Sequence, residues 1–420
     1  MSRRNSREAR SRARSRIAVI LAGAALLSWA GPGANAYWKA VSNGGSASSA
    51  ADAVAAGATP TATVSAGNVM LGWKATATLA GRPVSGYTVA RYASASGGTK
   101  VAAGGTCAGT VTTGLGCTDQ GVPTGTWYYT VTPVLAQWQG TESVRSSAAA
   151  VDTTPPAAPS VAAPAYVNIG NVSAVPVSGT TEPGASIALA VTDAGAAHTV
   201  NATATATANG SGAWNTTVNL SSLDAGTITY RAVATDTAGN QGNTATPGTA
   251  ASVKDVTAPT VSGVLLADGG GRNGKLDPND KATITFSERL DASTICSNWA
   301  ADPSGTLALS ADQATVNISS GNILSVAVDS LVCPTSSIGT VSLGGSYYGS
   351  GTLSYKGIIS WDRSANTLTI TLGALISGSV GNGTEQSAFP SYTPATGMRD
   401  LAGNPFANTS PVPGSTKSRF

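Results

Sequence analysis

The chain has 420 residues, of which only 11% are charged, while 50 are Gly. This length allows two to four domains with their own cores, and a small, β-branched, turn-rich composition favours short antiparallel strands over helices. The formal net charge of +3 misleads, because residues 1–16 hold seven Arg and one Glu and the rest of the chain carries a net −3. A nucleic-acid-binding surface of clustered Lys and Arg is therefore not expected.

The N-terminus has the three parts of a secretory signal peptide. The basic residues 1–16 precede an apolar run from Ile17 to Ala30, and Ala34-Asn35-Ala36 supplies the small residues that a signal peptidase accepts. We predict cleavage between Ala36 and Tyr37, which leaves a secreted or loosely surface-associated protein with no membrane segment. A retained membrane anchor is the alternative, although the apolar run is shorter than the ~20 residues that span a bilayer.

Composition and proline positions divide the mature chain. Tyr37 to Thr59 is rich in Gly, Ser and Ala and is typical of a flexible linker. Asp152 and Asp255 each begin a similar segment, in which proline follows a strand-like run and ends its ladder of hydrogen bonds. We therefore predict an all-β chain, with a signal peptide at 1–36, a flexible linker at 37–59, and β-sandwich domains at 60–152, 155–255 and 256–420.

The first domain contains strands in which apolar residues alternate with polar ones. The apolar faces are formed by Val69, Leu71 and Trp73, by Tyr87 and Val89, and by Trp127, Tyr129 and Val131. A Trp in the second strand, Gly-Tyr-x-Val in the third and a later Tyr-x-Val followed by Glu142-Ser143 resemble fibronectin type III modules. This resemblance implies that Tyr129 is a tyrosine-corner residue whose hydroxyl bonds to nearby backbone.

The second domain is marked by turn sequences that introduce or close alternating strands. They are Gly179 to Ala185, Gly210 to Trp214, Leu223 to Thr227 and Asp236-Thr237-Ala238-Gly239-Asn240. In the last of them Gly supplies a positive φ, and Asp and Asn bond to local backbone. Together these turns resemble bacterial immunoglobulin-like (Ig-like) domains that are repeated in surface proteins.

The third domain is longer. Ala282 to Glu288 and Asp400 to Asn404 resemble the early strand and the terminal turn of Ig-like domains from bacterial S-layer and adhesin-type proteins. Strands are predicted at Ile323 to Val328 and at Thr367 to Leu372, and the Gly-rich Ser342 to Gly351 predicts a long loop. The Tyr37-Trp38 start, placed after the leader and before a Gly/Ser stretch, is similar to that of exported actinobacterial surface proteins.

The four cysteines favour disulfides, because an even number in an exported chain is typically oxidised. Of the three possible connectivities, Cys107–Cys117 with Cys296–Cys333 keeps each bridge within one domain. Zinc is not expected, because neither pair has the spacing of metal ligands and no His lies close in sequence.

No catalytic set stands out. His198 is the single histidine, so any Ser-His-Asp or Cys-His arrangement would have to include it, and it lies in a turn with no nucleophile motif nearby. No nucleophile elbow or phosphate-binding loop is present, and nothing marks two of the few glutamates as a glycosidase pair. We therefore predict that the protein is not an enzyme.

One loop is a candidate calcium site, since calcium takes six to eight oxygen ligands. With Gly274 at position six of such a loop, oxygen donors follow at Asn273, the carbonyl of Lys275, Asp277 and Asp280. The first and third positions are glycines, so the loop is not an EF-hand, and Asp268 is the candidate replacement. The alternative is a turn-rich surface loop without a metal.

Two further site hypotheses concern the domain joints and the aromatic residues. Asp152 and Asp255 precede the joint prolines, and Asp236 and Asn240 lie on a terminal turn, so calcium could connect neighbouring carboxylates there. Aromatic residues with polar or Gly-rich neighbours could instead stack on sugar rings, the alternative being that they fill the core; these are Trp138, Tyr347, Tyr348, Trp361 and Tyr392.

The sequence therefore predicts a non-catalytic secreted or cell-surface protein whose Ig-like domains act as spacers and interaction modules. The second hypothesis is an adhesin or polysaccharide-binding protein stabilised by calcium, with a cell-wall polysaccharide, an extracellular polysaccharide or a protein as its ligand. A secreted hydrolase is the third. No cofactor other than calcium is indicated, and neither nucleic acid nor membrane is an expected partner.

Overall fold

The computed structural model describes residues 37–38, 51–205, 210–271, 274–348, 350–380, 387–407 and 409–420. The chain forms two compact units. The first comprises the described residues up to Ala157 together with Gly184–Ser186 and Ala234–Asn243, and the second comprises the other described residues from Ala158 to Phe420. The predicted all-β architecture is confirmed, while the division into three domains stays a prediction. The predicted cleavage site lies outside the described residues, apart from the backbone of Tyr37.

Eleven strands precede Ala157 in the described part of the first unit. They are β1 Tyr37–Trp38, β2 Ala51–Asp52, β3 Thr61–Ser65, β4 Asn68–Gly72, β5 Gly86–Tyr92, β6 Val101–Ala102, β7 Thr110–Val111, β8 Gly116–Asp119, β9 Gly125–Leu135, β10 Trp138–Gln139 and β11 Ala149–Val151. β1 pairs with β2, β3-β4-β8 form one sheet, and β10-β9-β5-β6 form another to which β7 and β11 are joined. A 3-10 helix, Gly105–Cys107, precedes β7.

The first unit has the predicted sandwich core. Val69 and Leu71 of β4 and the adjacent Trp73 are buried against side chains of β5 and β9. Their alternation is the reason that these segments form strands, because a period of two places every second side chain on the same face. The rings of Trp73 and Tyr87 lie 5.5 Å apart, centroid to centroid, across this core.

A buried ion pair lies at one side of this core. Asp119 has no exposed surface, and its Oδ2 lies 2.7 Å from Nη1 of Arg91 and accepts a 3.0 Å hydrogen bond from the Tyr129 hydroxyl. The prediction that this hydroxyl bonds to backbone was therefore wrong. Burial and the negative charge of Asp119 both raise the pKa of Tyr129, so the phenol stays a donor.

The described part of the predicted flexible linker is ordered against the first unit, which corrects that prediction for residues 51–59. Gly57 donates its N–H to the carbonyl of Thr141 at 2.9 Å, and Leu79 donates to Ala53 at 2.9 Å. A Cβ on Gly57 would lie 2.0 Å from the carbonyl oxygen of Val131, so only glycine fits there. The small residues that suggested flexibility instead allow close backbone approach.

Seven strands lie between residues 158 and 255. They are β12 Tyr166–Val167, β13 Val175–Thr180, β14 Ser186–Thr192, β15 Thr199–Thr205, β16 Ala213–Val218, β17 Gly226–Thr235 and β18 Gly248–Lys254. β12-β18-β17-β14-β15 form a five-stranded sheet, and β13-β16 form a two-stranded sheet. Trp214 and Tyr230 are both buried, as the alternation along β16 and β17 predicts. A 3-10 helix, Ala194–Ala196, separates β14 from β15.

Ten strands and one short helix follow residue 256. They are β19 Val261–Ala267, β20 Lys281–Phe286, α1 Ala292–Ile295, β21 Leu307–Leu309, β22 Ala314–Ser319, β23 Ile323–Val328, β24 Thr340–Ser342, β25 Thr352–Asp362, β26 Thr367–Ser377, β27 Ser391–Thr393 and β28 Val412–Pro413. They form one connected sheet, β19-β20-β26-β25-β22-β23-β24-β27-β28, with β21 on β25. The predicted strand at Ile323 to Val328 is confirmed, and the second predicted strand lies within β26.

Both predicted disulfides form, and every described cysteine is used. Cys107 connects the 3-10 helix to Cys117 of β8, with 5.1 Å between the Cα atoms. Cys296 follows α1 and bonds to Cys333, with 5.3 Å between the Cα atoms. Cys107, Cys296 and Cys333 are buried in the cores of their units.

Candidate functional site

The Asp400 to Asn404 turn is a connecting element inside the second unit. Gly403 has a φ of +91° and donates its N–H to the carbonyl of Asp400 at 3.1 Å. Asn404 has no exposed surface, and its Nδ2 donates to the carbonyl of Asp255 at 2.9 Å and to Oδ2 of Asp400 at 2.8 Å. The turn therefore holds the segment that follows β18.

The same turn also contacts the residues that follow β12. Oδ1 of Asn404 accepts a hydrogen bond from the N–H of Ile169 at 2.8 Å, and Nδ2 of Asn168 donates to the carbonyl of Ala402 at 2.6 Å. The side-chain amide of Asn404 thus bonds to three separate segments of the second unit. A buried amide that is fully hydrogen-bonded fixes the geometry of what it joins.

The first unit contains the same turn. Asp236 to Asn240 repeats the Asp-x-Ala-Gly-Asn sequence, and Gly239 has a φ of +93°. Nδ2 of Asn240 donates to the carbonyl of Asp152 at 3.0 Å and to Oδ2 of Asp236 at 2.7 Å. Asp152 and Asp255 therefore occupy equivalent positions, each with its carbonyl bound by the Asn of such a turn. The turn that was predicted at 236–240 is confirmed.

Carboxylates gather at both turns. In the second unit, one oxygen from each of Asp255, Glu288 and Asp400 lies within 4.8 Å of the others, and in the first unit Asp152 and Asp236 are equally close. Burial and then the charges of Asp255 and Asp400 raise the pKa of Glu288 to about 7. Oxygen donors at this separation are the ligand type that calcium takes. The sequence prediction named Asp255 but did not place Glu288 and Asp400 beside it.

The loop predicted to bind calcium uses two of its carboxylates on its own backbone. Asp280 has no exposed surface, and its two oxygens accept from the N–H groups of Gly269 at 2.9 Å and Asp277 at 2.8 Å. Oδ1 of Asp268 accepts from Gly270 at 2.8 Å and from Gly271 at 3.0 Å. Of the other proposed ligands, Lys275 is described and Asn273 lies outside the described residues. Calcium in this loop stays a prediction.

Among the described groups of three potential metal ligands, one contains the single histidine. Nδ1 of His198 lies 2.7 Å from Oδ2 of the buried Asp193 and 3.5 Å from Oδ2 of Asp224, while the imidazole is half exposed. The hydrogen bond that the imidazole donates to Asp193, followed by the charges of Asp224 and Asp193, raises the pKa of His198. This is an ion pair at the surface, and no nucleophile belongs to the group.

We expect the imidazole of His198 to titrate above its ordinary value of about 6.5. A raised folded-state pKa means that the pair stabilises the protein below the unfolded-state pKa and stops doing so as pH rises through the folded-state value. Proton NMR of the untagged chain measures this directly, because one histidine gives one titration curve. Asp193→Asn should lower the midpoint towards 6.5, while Asp302→Asn, remote from this group in sequence, should leave it unchanged. A wild-type midpoint at or below 6.5 would contradict the assignment.

The aromatic strip predicted as a sugar-binding face does not exist as such. Trp361, Tyr392 and Tyr347 are buried, and Tyr348 packs against the same core. Phe286 lies 6.0 Å from the rings of both Trp361 and Tyr392. Trp138 is half-buried on β10. Trp361 and Tyr392 fill the core because alternation along β25 and β27 places their rings inward, while Tyr347 and Tyr348 reach the same core from the segment between β24 and β25.

No protein-family model and no curated protein sequence matches the chain. Similar solved structures include a tetra-tandem repeat from the extending region of a large adhesion protein, with 18% identity, 81% of each chain covered and a TM-score of 0.25. Another is the FN1–FN3 domains of chicken CNTN1, with 11% identity, 87% of this chain and 99% of that chain covered, and a TM-score of 0.25. Since these TM-scores are low, the description of the fold rests on the sheets themselves. No helix in the described part of the chain is long and apolar enough to cross a membrane.

Proposed function

We propose that this is a non-catalytic, secreted or cell-surface protein whose Ig-like β-sandwich regions act as spacers and interaction modules. The observation that carries the proposal is the Asp-x-Ala-Gly-Asn turn, which occurs once in each unit and each time binds the carbonyl of an Asp that begins a proline-containing connection. Repetition of one connecting device is expected of a chain built to hold β regions in fixed succession. The two disulfides favour an oxidising environment outside the cytoplasm.

The test is binding of labelled protein, residues 37–420, to intact cells and purified wall fractions of the organism that produces it. We expect saturable binding to at least one fraction, because an interaction module requires a partner outside the cell. The control is the same chain after reduction and heat unfolding, which keeps the composition and charge but loses the folded surface. Absence of saturable binding to any fraction would contradict the interaction role. Turnover of polysaccharide or peptide substrates would contradict the non-catalytic one.

Calcium at the Asp400 turn is a prediction within this proposal. Three carboxylates held within 4.8 Å repel one another, and a divalent cation would offset that repulsion. In a chelator arm of the same experiment we expect a lower melting temperature and weaker binding than with calcium. Glu288→Gln should reduce the calcium-dependent shift, whereas Asp312→Asn, at an exposed ion pair with Lys356, should not. A melting temperature that ignores both calcium and chelator would remove calcium from the proposal.

A polysaccharide-binding role is the second candidate function. It is favoured by one pocket in the second unit whose lining contains two arginines and no aromatic residue. None of its lining residues belongs to the turns that carry the spacer proposal.

A further inference from the structure

A polar pocket of about 340 Å³ opens in the second unit between three loops. The loops follow β20, precede β21 and connect β25 to β26. No apolar side chain contributes to the lining, which consists of Arg289, Ser304, Gly305, Thr306, Asp362, Arg363 and Ser364. The hydroxyl, carboxylate and guanidinium groups of this lining offer several hydrogen-bonding partners to a small polar ligand.

One of the two arginines is held in place. Nε of Arg363 lies 2.8 Å from Oδ1 of Asp302, and Nη1 donates to the carbonyl of Pro303 at 3.2 Å. The contact of Nε is an ion pair without a hydrogen bond, and Nη2 has no hydrogen bond to any residue that the structure describes. A guanidinium fixed on one side and open on the other is pre-organised to receive an anionic group.

The second arginine, Arg289, is not engaged by another side chain of the described residues. Arg289 has neither an ion pair nor a hydrogen bond with the described residues, and it is exposed at the pocket. The charge of Arg363 is offset by Asp302, and that of Asp362 is the single negative charge in the lining. Arg289 can therefore turn towards a ligand without breaking an existing bond. Two guanidinium groups with donors in a planar arrangement match a carboxylate.

Asp362 and the hydroxyl groups supply the complementary contacts. Oδ1 of Asp362 accepts from the N–H of Ser364 at 2.8 Å, from its hydroxyl at 2.6 Å and from the N–H of Ala365 at 3.2 Å. Its Oδ2 makes no hydrogen bond within the described residues, nor do the hydroxyls of Ser304 and Thr306. An open carboxylate oxygen accepts from hydroxyl donors, and Ser and Thr hydroxyls can either donate or accept.

We propose that this pocket binds a carboxylate-bearing sugar unit, such as a hexuronic acid residue of an acidic polysaccharide. The arginines bind the sugar carboxylate, while Asp362 and the Ser and Thr hydroxyls bind neighbouring sugar hydroxyls. The volume is at the low end of the ~300–1,000 Å³ range of small-molecule pockets, which suits one small polar unit. This inference deepens the second candidate function and identifies the class of saccharide.

The test is calorimetric titration of the chain with oligogalacturonate, with a neutral galactose oligosaccharide and with inorganic phosphate as comparison ligands. We expect saturable binding of oligogalacturonate and at least tenfold weaker binding of the other two. Arg289→Gln should weaken oligogalacturonate binding at least tenfold, the effect of removing one charge-assisted hydrogen bond. The matched control is Arg231→Gln, which removes an exposed arginine of β17 with the same change in net charge.

Three outcomes would overturn the inference: no saturable binding of oligogalacturonate, equal binding of the neutral oligosaccharide or phosphate, or equal losses in Arg289→Gln and Arg231→Gln. These outcomes are separable from failure of the proposed function. A chain that binds a wall fraction but not oligogalacturonate keeps its interaction role and loses this pocket assignment. A chain that binds oligogalacturonate but no wall fraction keeps the assignment and loses the role at the producer's surface.

Discussion

Asp119→Ala is expected to lower the free energy of unfolding of the first unit by about 3–5 kcal/mol. The substitution leaves Arg91, whose side chain is 14% exposed, without its carboxylate, and leaves the Tyr129 hydroxyl without its acceptor. It also removes the acceptor for the N–H of Gly104, which lies 2.5 Å from Oδ1 of Asp119. Removing one partner of a buried pair costs more than the pair contributes, because an uncompensated charge stays buried.

The measurement is urea unfolding of the full chain, followed by scanning calorimetry to identify the transition that moves. The control in the same unit is Lys100→Ala, which breaks the ion pair of an exposed lysine with the partly exposed Glu142 and should cost less than about 1 kcal/mol. Asp119→Asn separates charge from hydrogen bonding, because the amide oxygen still accepts while the charge is lost. If Asp119→Ala cost no more than Lys100→Ala, Arg91 would have to find another partner or reach water.

Replacing Cys296 and Cys333 together by Ser is expected to cost the second unit about 4 kcal/mol, while the same change at Cys107 and Cys117 should cost the first unit about 3 kcal/mol. The difference follows from loop length, since the Cys296–Cys333 bridge closes 37 residues and the Cys107–Cys117 bridge closes 10. A longer closed loop removes more conformational freedom from the unfolded chain, so its loss is more costly.

Both double-serine variants should be compared with the wild-type chain by scanning calorimetry, with and without reductant. Reductant should lower the wild-type unfolding temperatures towards those of the variants. In each variant, it should not change the unfolding temperature of the unit whose disulfide has been replaced. A larger effect at Cys107 and Cys117 than at the longer loop would show that native packing around the sulfur atoms outweighs the entropy of the unfolded chain.

Much of the strand pattern could be predicted from the sequence because it depends on neighbours in the chain. Val69, Leu71 and Trp73 are buried on one face because side chains alternate along a strand. The turn at Asp236 to Asn240 was equally accessible, because a Gly between Asp and Asn permits the positive φ that the structure has. The disulfide pairing also followed from a local rule, that bridges join residues of one domain.

Partners that are distant in sequence could not be predicted in this way. The hydroxyl of Tyr129 was assigned to backbone, but the buried carboxylate of Asp119 attracts it more strongly than a neutral carbonyl does. Trp361 and Tyr392 have polar neighbours in sequence, which says nothing about the residues of other strands that cover their rings. Burial is a property of the folded sheet.

The contacts of Asn404 could have been predicted from one feature of the sequence, the repeated Asp-x-Ala-Gly-Asn motif. Both Asp-x-Ala-Gly-Asn turns were recognised as turns. Their shared sequence also indicates shared contacts, including the hydrogen bond from the Asn amide to the carbonyl of the Asp that begins each connection. The pocket left no comparable signal. Arg289, Thr306 and Arg363 belong to three separate loops, and only the order of strands in the sheet brings those loops together.

The bonds around Asp255 determine how a pulling force along the chain would be divided. Its N–H donates to the carbonyl of Val167 at 2.9 Å, and its own carbonyl is held by Asn404, which also bonds to Ile169. Tension that reaches this residue is therefore distributed at once to the segment after β12 and to the Asp400 turn. Hydrogen bonds loaded in parallel resist more than the same bonds broken in succession. Under a pulling force, we expect the connection to yield in an abrupt step, with little extension of the region around it before that step.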